Sequence, residues 1–146
     1  MAIVIGRIGK QVPVERVPEV IFGYTIANDV TARDLQNAEG QWARAKGWDT
    51  FCPIGPWIVT HFDLAEAGNL DLTTTLDGVV KQEGSTGLML RGIAELVAYI
   101  SNFTTLLPGD LILTGTPAGV GPMVPGQSVS VEIEKIGVLT NPVVAE

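Results

Sequence analysis

The densest run of chemistry-bearing side chains is Asn28-Asp29-Val30-Thr31-Ala32-Arg33-Asp34-Leu35-Gln36, placed where an apolar strand pattern ends and a helix signal begins. A helix over this run sets Arg33 and Gln36 three residues apart on one face, with Asp29 just ahead of its N-terminus. One carboxylate, one guanidinium and one amide then converge. That set suits an oxygen-ligated hard cation beside an anionic substrate, because Asp offers oxygen to magnesium and Arg offers a planar fork to a carboxylate. The plainer reading is an N-capping Asp ahead of a solvated helix face, which needs no site at all.

Five further positions invite a chemical reading. Thr114-Gly115-Thr116-Pro117-Ala118-Gly119-Val120-Gly121 can turn backbone N–H groups and hydroxyls toward a bound carboxylate. No Lys follows its glycines and no helix follows the turn, so nucleotide binding is disfavoured, and an ordinary tight loop explains it equally. Lys46 lies between Trp42 and Trp48, where aromatic neighbours can desolvate an ammonium and aim it at an enolate oxygen; the commoner fate of such a Lys is to snorkel at the surface. His61, the one histidine, has nothing near it in sequence to orient it as a base. Cys52 has no histidine partner in its segment and reads as a buried, inert thiol. Met89 reads as core.

The elements that must position these residues are short. Seventeen glycines and nine prolines divide the chain, and most pieces carry β-branched or aromatic residues, so the chain reads mainly β. Ala2 to Ile5 is a strand, a loop passes through Pro13 and Pro18, and Val20 to Ile26 is a second strand interrupted by Gly23. Thr31-Ala32-Arg33-Asp34 has the spacing of a reciprocal helix cap and predicts a short helix from Thr31 to Ala38. Gln41 to Cys52, broken by Gly47, reads as an ordered loop, and Trp57 to Thr60 as a strand.

Leu72 to Val80 flanks Asp77-Gly78, a two-residue hairpin signal. Met89, Ile93, Leu96, Val97 and Ile100 share one helical face, with Arg91 and Glu95 spaced i,i+4, and predict the one long helix. Pro108-Gly109-Asp110 is a turn before a buried strand at Leu111 to Leu113. Val129, Val131 and Ile133 alternate with polar residues as in a strand with one wet face. The expected architecture is a compact, strongly twisted β structure with one packed helix.

Composition narrows the function. At 146 residues a single domain is the default. The net charge of −7, with scattered basic residues, argues against nucleic acid as partner. No apolar run approaches the roughly 20 residues of a membrane helix, so no membrane is expected as partner. The single Cys excludes a disulfide framework and a multi-cysteine zinc site. With no export signal in the sequence, a cytoplasmic setting is expected.

Taken together, five segments resemble the fumarylacetoacetate hydrolase family, specifically its C-terminal catalytic domain. They are AIVIGR (Ala2 to Arg7), GYTIANDVTARDLQ (Gly23 to Gln36), RAKGWDTFCPIGPWIVT (Arg44 to Thr60), PGDLILTGTPAGVG (Pro108 to Gly121) and IGVLTNPV (Ile136 to Val143). The resemblance implies a mixed β-sandwich roll with one longer packed helix, usually in homodimers. It implies a 2-oxo or 2,4-dioxo acid as the small-molecule substrate, with magnesium or manganese as cofactor. Members hydrolyse acylpyruvates, decarboxylate oxaloacetate or isomerise hydroxymuconate-type diacids through a metal-stabilised enolate. By the same resemblance Asp29 is a metal ligand, Arg33 and Gln36 hold substrate, Lys46 faces the developing oxyanion, and Thr116 contacts the substrate carboxylate.

One departure bears on activity. Family members carry a His-x-Glu-x-Glu type segment just ahead of the strand matching Ala2 to Ile5, whose two glutamates join the aspartate at the metal. Glu15 and Glu19 follow that strand and do not substitute for them. The 146 residues are therefore expected to form one catalytic domain lacking two metal carboxylates and the N-terminal lid. The alternative is a catalytically incompetent domain that keeps the fold for assembly or binding. Gln127, where aspartate is common, and Lys135, where glycine is common, are smaller departures in the tail.

Overall fold

A computed structural model describes residues 1–145. β1 (Ala2–Ile5), β2 (Ile21–Ala27), β3 (Ile54–Val59) and β6 (Leu111–Leu113) form one four-stranded antiparallel sheet in the order β3-β2-β1-β6. β4 (Asp71–Leu76), β5 (Val79–Ser85), β7 (Ser128–Ile133) and β8 (Gly137–Pro142) form a second, in the order β5-β4-β7-β8. The sheets share one core: Ile3, Ile5, Tyr24 and Ile26 of the first pack in the same cluster as Val131, Ile133 and Leu139 of the second. The mainly β sandwich with one longer helix is the architecture the sequence predicts.

β1 is buried at all four positions, which explains why it reads as a continuous apolar run and not an alternating one. β2 is not interrupted at Gly23. It runs through that residue because a Cβ there would sit 2.4 Å from Val59 O, so glycine is what lets β3 approach. The irregularity is instead a bulge at Phe22, since Val4 pairs Gly23 while Ile5 pairs Ile21. The hairpin is as expected: Asp77 and Gly78 close β4 to β5 with φ of 50° and 77°, the two positive values that a type I′ turn requires. The alternation in β7 also holds, with Val129, Val131 and Ile133 buried.

Other boundaries differ from the sequence reading. The loop through Pro13 and Pro18 contains a 3-10 helix, Val14–Glu19, which buries Val17. The long helix is α4 (Ile93–Phe103), preceded by α1 (Arg33–Ala38), α2 (Ala43–Lys46) and α3 (Leu64–Ala67). Met89 and Arg91 precede α4, so Arg91 and Glu95 are not a helical pair; Glu95 instead accepts the Gly92 N–H at 3.2 Å. Met89 nevertheless packs against the core. No described helix is long and apolar enough to cross a membrane.

Candidate functional site

β2 and β6 both run antiparallel to β1 and hence parallel to each other. Ala2 faces Thr25 on one side and Leu113 on the other, so both strands leave the sheet at the same end, about 10 Å apart across β1. The residues after β2 carry Asp29, and those after β6 carry Thr116. One sheet edge therefore presents both segments that the sequence singles out.

After β2 the chain stays extended against residues 45–53. The N–H groups of Asn28, Val30 and Ala32 donate to Pro53 O, Phe51 O and Ala45 O at 3.1, 3.0 and 2.9 Å. With every second N–H committed, Asp29 and Thr31 share the other parity and project to the same side. There they meet Lys46, whose ammonium pairs with the Asp29 carboxylate and donates to Thr31 Oγ1 at 3.3 Å. Gln41 to Cys52 is thus not a plain loop: near its start α2 makes a helical turn that buries Ala45 completely and fixes the root of Lys46. The Lys46 ammonium also lies 6.0 Å from the Trp42 ring centroid, within cation–π range.

The reciprocal cap expected at Thr31-x-x-Asp34 does not form. α1 starts at Arg33, two residues past the expected start, with Ala32 as an unassisted cap. The Thr31 hydroxyl is engaged elsewhere, donating to Asp29 O at 3.1 Å and accepting from Lys46. Arg33 and Gln36 do share a helix face, and the guanidinium hydrogen-bonds the Gln36 amide oxygen. α1 buries none of its residues, so Arg33 stays open to solvent.

Thr116 occupies different surroundings. Thr114 N and Oγ1 each donate to Met1 O at 3.1 Å, and two residues on Thr116 Oγ1 accepts from Gln82 Nε2 of β5 at 2.8 Å. Met1, Arg91, Thr114 and Thr116 help line an open cavity of about 430 Å³. Thr116 shares no hydrogen bond with the Asp29 group among the described residues. Gln82 escapes the sequence reading because it lies 34 residues from Thr116. Thr31 was legible only as a cap, although its i+2 spacing from Asp29 on an extended segment is the signal that pairs them.

Neither remaining candidate joins the site. His61 is exposed and rests edge-on against Phe62 at 4.9 Å. Cys52 is exposed, which corrects the expectation of a buried thiol. Tyr24, on β2, keeps its phenolic proton near neutrality and offers no phenolate there: burial, helped by the Asp63 charge, pushes its phenol up to about 12.

The donor set does not fit a complete divalent-cation site. No three His, Cys, Asp or Glu residues cluster among the described residues, and the one carboxylate in place, Asp29, is already engaged by Lys46. A hard cation held by one carboxylate and a hydroxyl keeps most of its water.

A β-sandwich of this topology, with the polar segments after β2 and β6 at one sheet end, defines a recognisable class. The chain belongs to the fumarylacetoacetate hydrolase family: the family model described as Fumarylacetoacetate (FAA) hydrolase C-terminal matches residues 1–144. It is 58% identical over 144 residues to a Mycobacterium tuberculosis protein, covering 99% of this chain and 54% of that one. It is 43% identical over 152 residues to the mitochondrial oxaloacetate tautomerase of Rattus norvegicus, covering 99% and 49%. Among solved structures, 5-carboxymethyl-2-hydroxymuconate delta-isomerase from Mycobacterium smegmatis superposes with a TM-score of 0.95 at 56% identity, covering 99% of this chain and 57% of that one. The chain spans about half the length of the curated relatives it matches. Named family members are enzymes, and hydrolase, isomerase and tautomerase all occur among their names.

Proposed function

We propose that this chain contributes the oxyanion-facing half of a site that turns a 2-oxo or 2,4-dioxo acid into its enolate. The observation that carries this reading is the convergence of Lys46, Asp29 and Thr31 at an exposed sheet end. Hydrolysis, decarboxylation, isomerisation and tautomerisation of such acids share one demand. As a proton or a carbon substituent leaves, an electron pair moves onto the 2-oxo oxygen, and a fixed positive charge there lowers the barrier.

Lys46 supplies that charge, held in place by Ala45 below and by Thr31 beside it. Arg33 grips a substrate carboxylate with its fork, exchanging the Gln36 amide oxygen for a charged partner. Thr116 donates to a carboxylate oxygen from the neighbouring loop. Magnesium or manganese enters the proposal only for the whole protein, with Asp29 as one ligand, since the described residues supply no others. A second copy of the chain is the proposed partner, to be read by sedimentation.

The non-catalytic alternative draws on one observation, the absence of a three-carboxylate cluster among the described residues. Calorimetric titration with magnesium and the ultraviolet enol-to-keto assay with oxaloacetate separate the two. The 146-residue chain should bind magnesium weakly and turn over negligibly. Adding a His-x-Glu-x-Glu segment ahead of Met1 should recover both together. Tight magnesium binding by the shorter chain, or no gain on extension, overturns the placement of the site at Asp29.

A further inference from the structure

The loop that carries Thr116 lies directly on β5. A Cβ on Gly119, whose φ is 103°, would stand 1.9 Å from Lys81 O, and one on Gly84 would stand 3.2 Å from Pro117 Cβ. In that seat Gln82 Nε2 donates to Thr116 Oγ1 at 2.8 Å and to Pro117 O at 2.9 Å. A carbonyl oxygen only accepts, so the end of the Gln82 amide that faces Pro117 must be the NH₂ group. The same NH₂ faces Thr116, whose oxygen is therefore the acceptor of that bond.

A threonine hydroxyl has one proton to give. The other acceptor near it is Pro117 O, which lies 3.5 Å away, too far for a normal O–H···O bond. The Thr116 proton is left for whatever enters the cavity that Thr116 lines. A hydroxyl fixed as donor favours an anionic oxygen over a ligand N–H or ammonium.

We infer that Gln82 is a positioning residue: its amide fixes Thr116 as a committed hydrogen-bond donor and so selects a carboxylate oxygen as the group bound there. The inference rests on the reading of Thr116 as a substrate contact. Gln82→Glu tests it nearly isosterically, replacing the NH₂ donor by an oxygen that repels Pro117 O and takes the Thr116 proton for itself.

Oxalate, a planar dicarboxylate, is the probe, with affinity read by calorimetry across pH. Losing one bond to a charged acceptor should weaken oxalate binding about tenfold or more at neutral pH in Gln82→Glu. Lowering the pH protonates the introduced carboxyl and restores a donor, so the gap between variant and unsubstituted chain should close; a residue that merely props the loop gives no such profile. In a Thr116→Val background, Gln82→Glu should add no further loss. The Thr116 methyl resonance, followed without ligand, should track titration of the introduced carboxyl.

A methyl signal indifferent to Gln82→Glu, or additive losses in the double variant, overturns the positioning role. Unchanged oxalate affinity in Thr116→Val, or no oxalate binding by the unsubstituted chain, overturns the functional reading of Thr116 and the ligand class with it. In that event a methyl that still titrates shows the failure to lie in the functional reading and not in the Gln82–Thr116 contact.

Discussion

The segments leaving β2 and β6 emerge at one sheet end, yet they are held in opposite ways. Residues 28–32 are fixed by alternate backbone N–H bonds to residues 45–53, and the side chains of Asp29 and Thr31 meet Lys46 on the other parity. Residues 114–121 are tied at their root by Thr114 to Met1 O and beyond it by a close backbone approach at Gly119 and by the Gln82 side chain. Substitutions in the first region should therefore report on chemistry with the fold intact. In the second, a substitution at the point of close approach, Gly119, should move the scaffold.

The largest effect is expected at Gly119. Alanine there faces both a left-handed φ of 103° and Lys81 O at 1.9 Å, so either the loop lifts off β5 or the strand yields. Gly119→Ala should cost about 3 kcal/mol or more in urea unfolding. Gly121→Ala, with nothing within 4 Å of the new methyl, should be nearly neutral. Equal costs at the two positions would mean that the loop is not seated on β5.

Lys46 comes next and belongs to the first region. On the proposed function, Lys46→Ala in a chain made active by the added His-x-Glu-x-Glu segment should lower kcat about 100-fold, as loss of one oxyanion donor does. Its melting temperature should barely move, because the partners keep 29% and 46% of their side-chain surface exposed and such pairs contribute about 0–1 kcal/mol. Unaltered turnover would end the catalytic reading of this residue. A smaller change is expected at Arg33, where Lys keeps the charge but loses the fork. Arg33→Lys should raise KM about tenfold with kcat within a factor of about three, or roughly 1.4 kcal/mol of binding. Kinetics that survive while stability falls would make Arg33 structural.

The same division explains what the sequence revealed. Local signals were readable where backbone chemistry is local: the Asp77-Gly78 turn and the alternation in β7 appear as expected, and α4 buries Ile93 and Val97 of the expected face while Met89 falls outside the helix. Long-range competition was not readable. Thr31 looks like a helix cap, but Lys46, 15 residues on, claims its hydroxyl, and α1 starts late in consequence. Gly23 looks like a strand break because the approach of Val59 O is a tertiary fact. The tail departures are structural for the same reason. Gln127 ties the hairpin turn by donating to Asp77 Oδ2 at 3.0 Å, and Lys135 keeps a glycine-like φ of 60° while reaching Glu66 at 3.2 Å. The family resemblance implies separate roles for Asp29 and Lys46 but not their pairing, whose geometric reason, two segments laddered through alternate N–H groups, requires the fold.

The smallest effect tests the premise that backbone, and not surface charge, holds the first region. Arg44 and Glu39 link α2 to the end of α1 at 2.6 Å, with 64% and 31% of their side-chain surface exposed. An exposed pair gains little in water because both ions give up hydration and rotamer freedom for one contact. Arg44→Ala should therefore change unfolding free energy by no more than about 0.5 kcal/mol, with the effect shrinking as salt is added. A loss well above 1 kcal/mol would mean that side-chain ion pairs set the register of residues 28–46. The expectation of an unmoved melting temperature in Lys46→Ala would then lose its ground, because removing that ammonium would loosen the same scaffold.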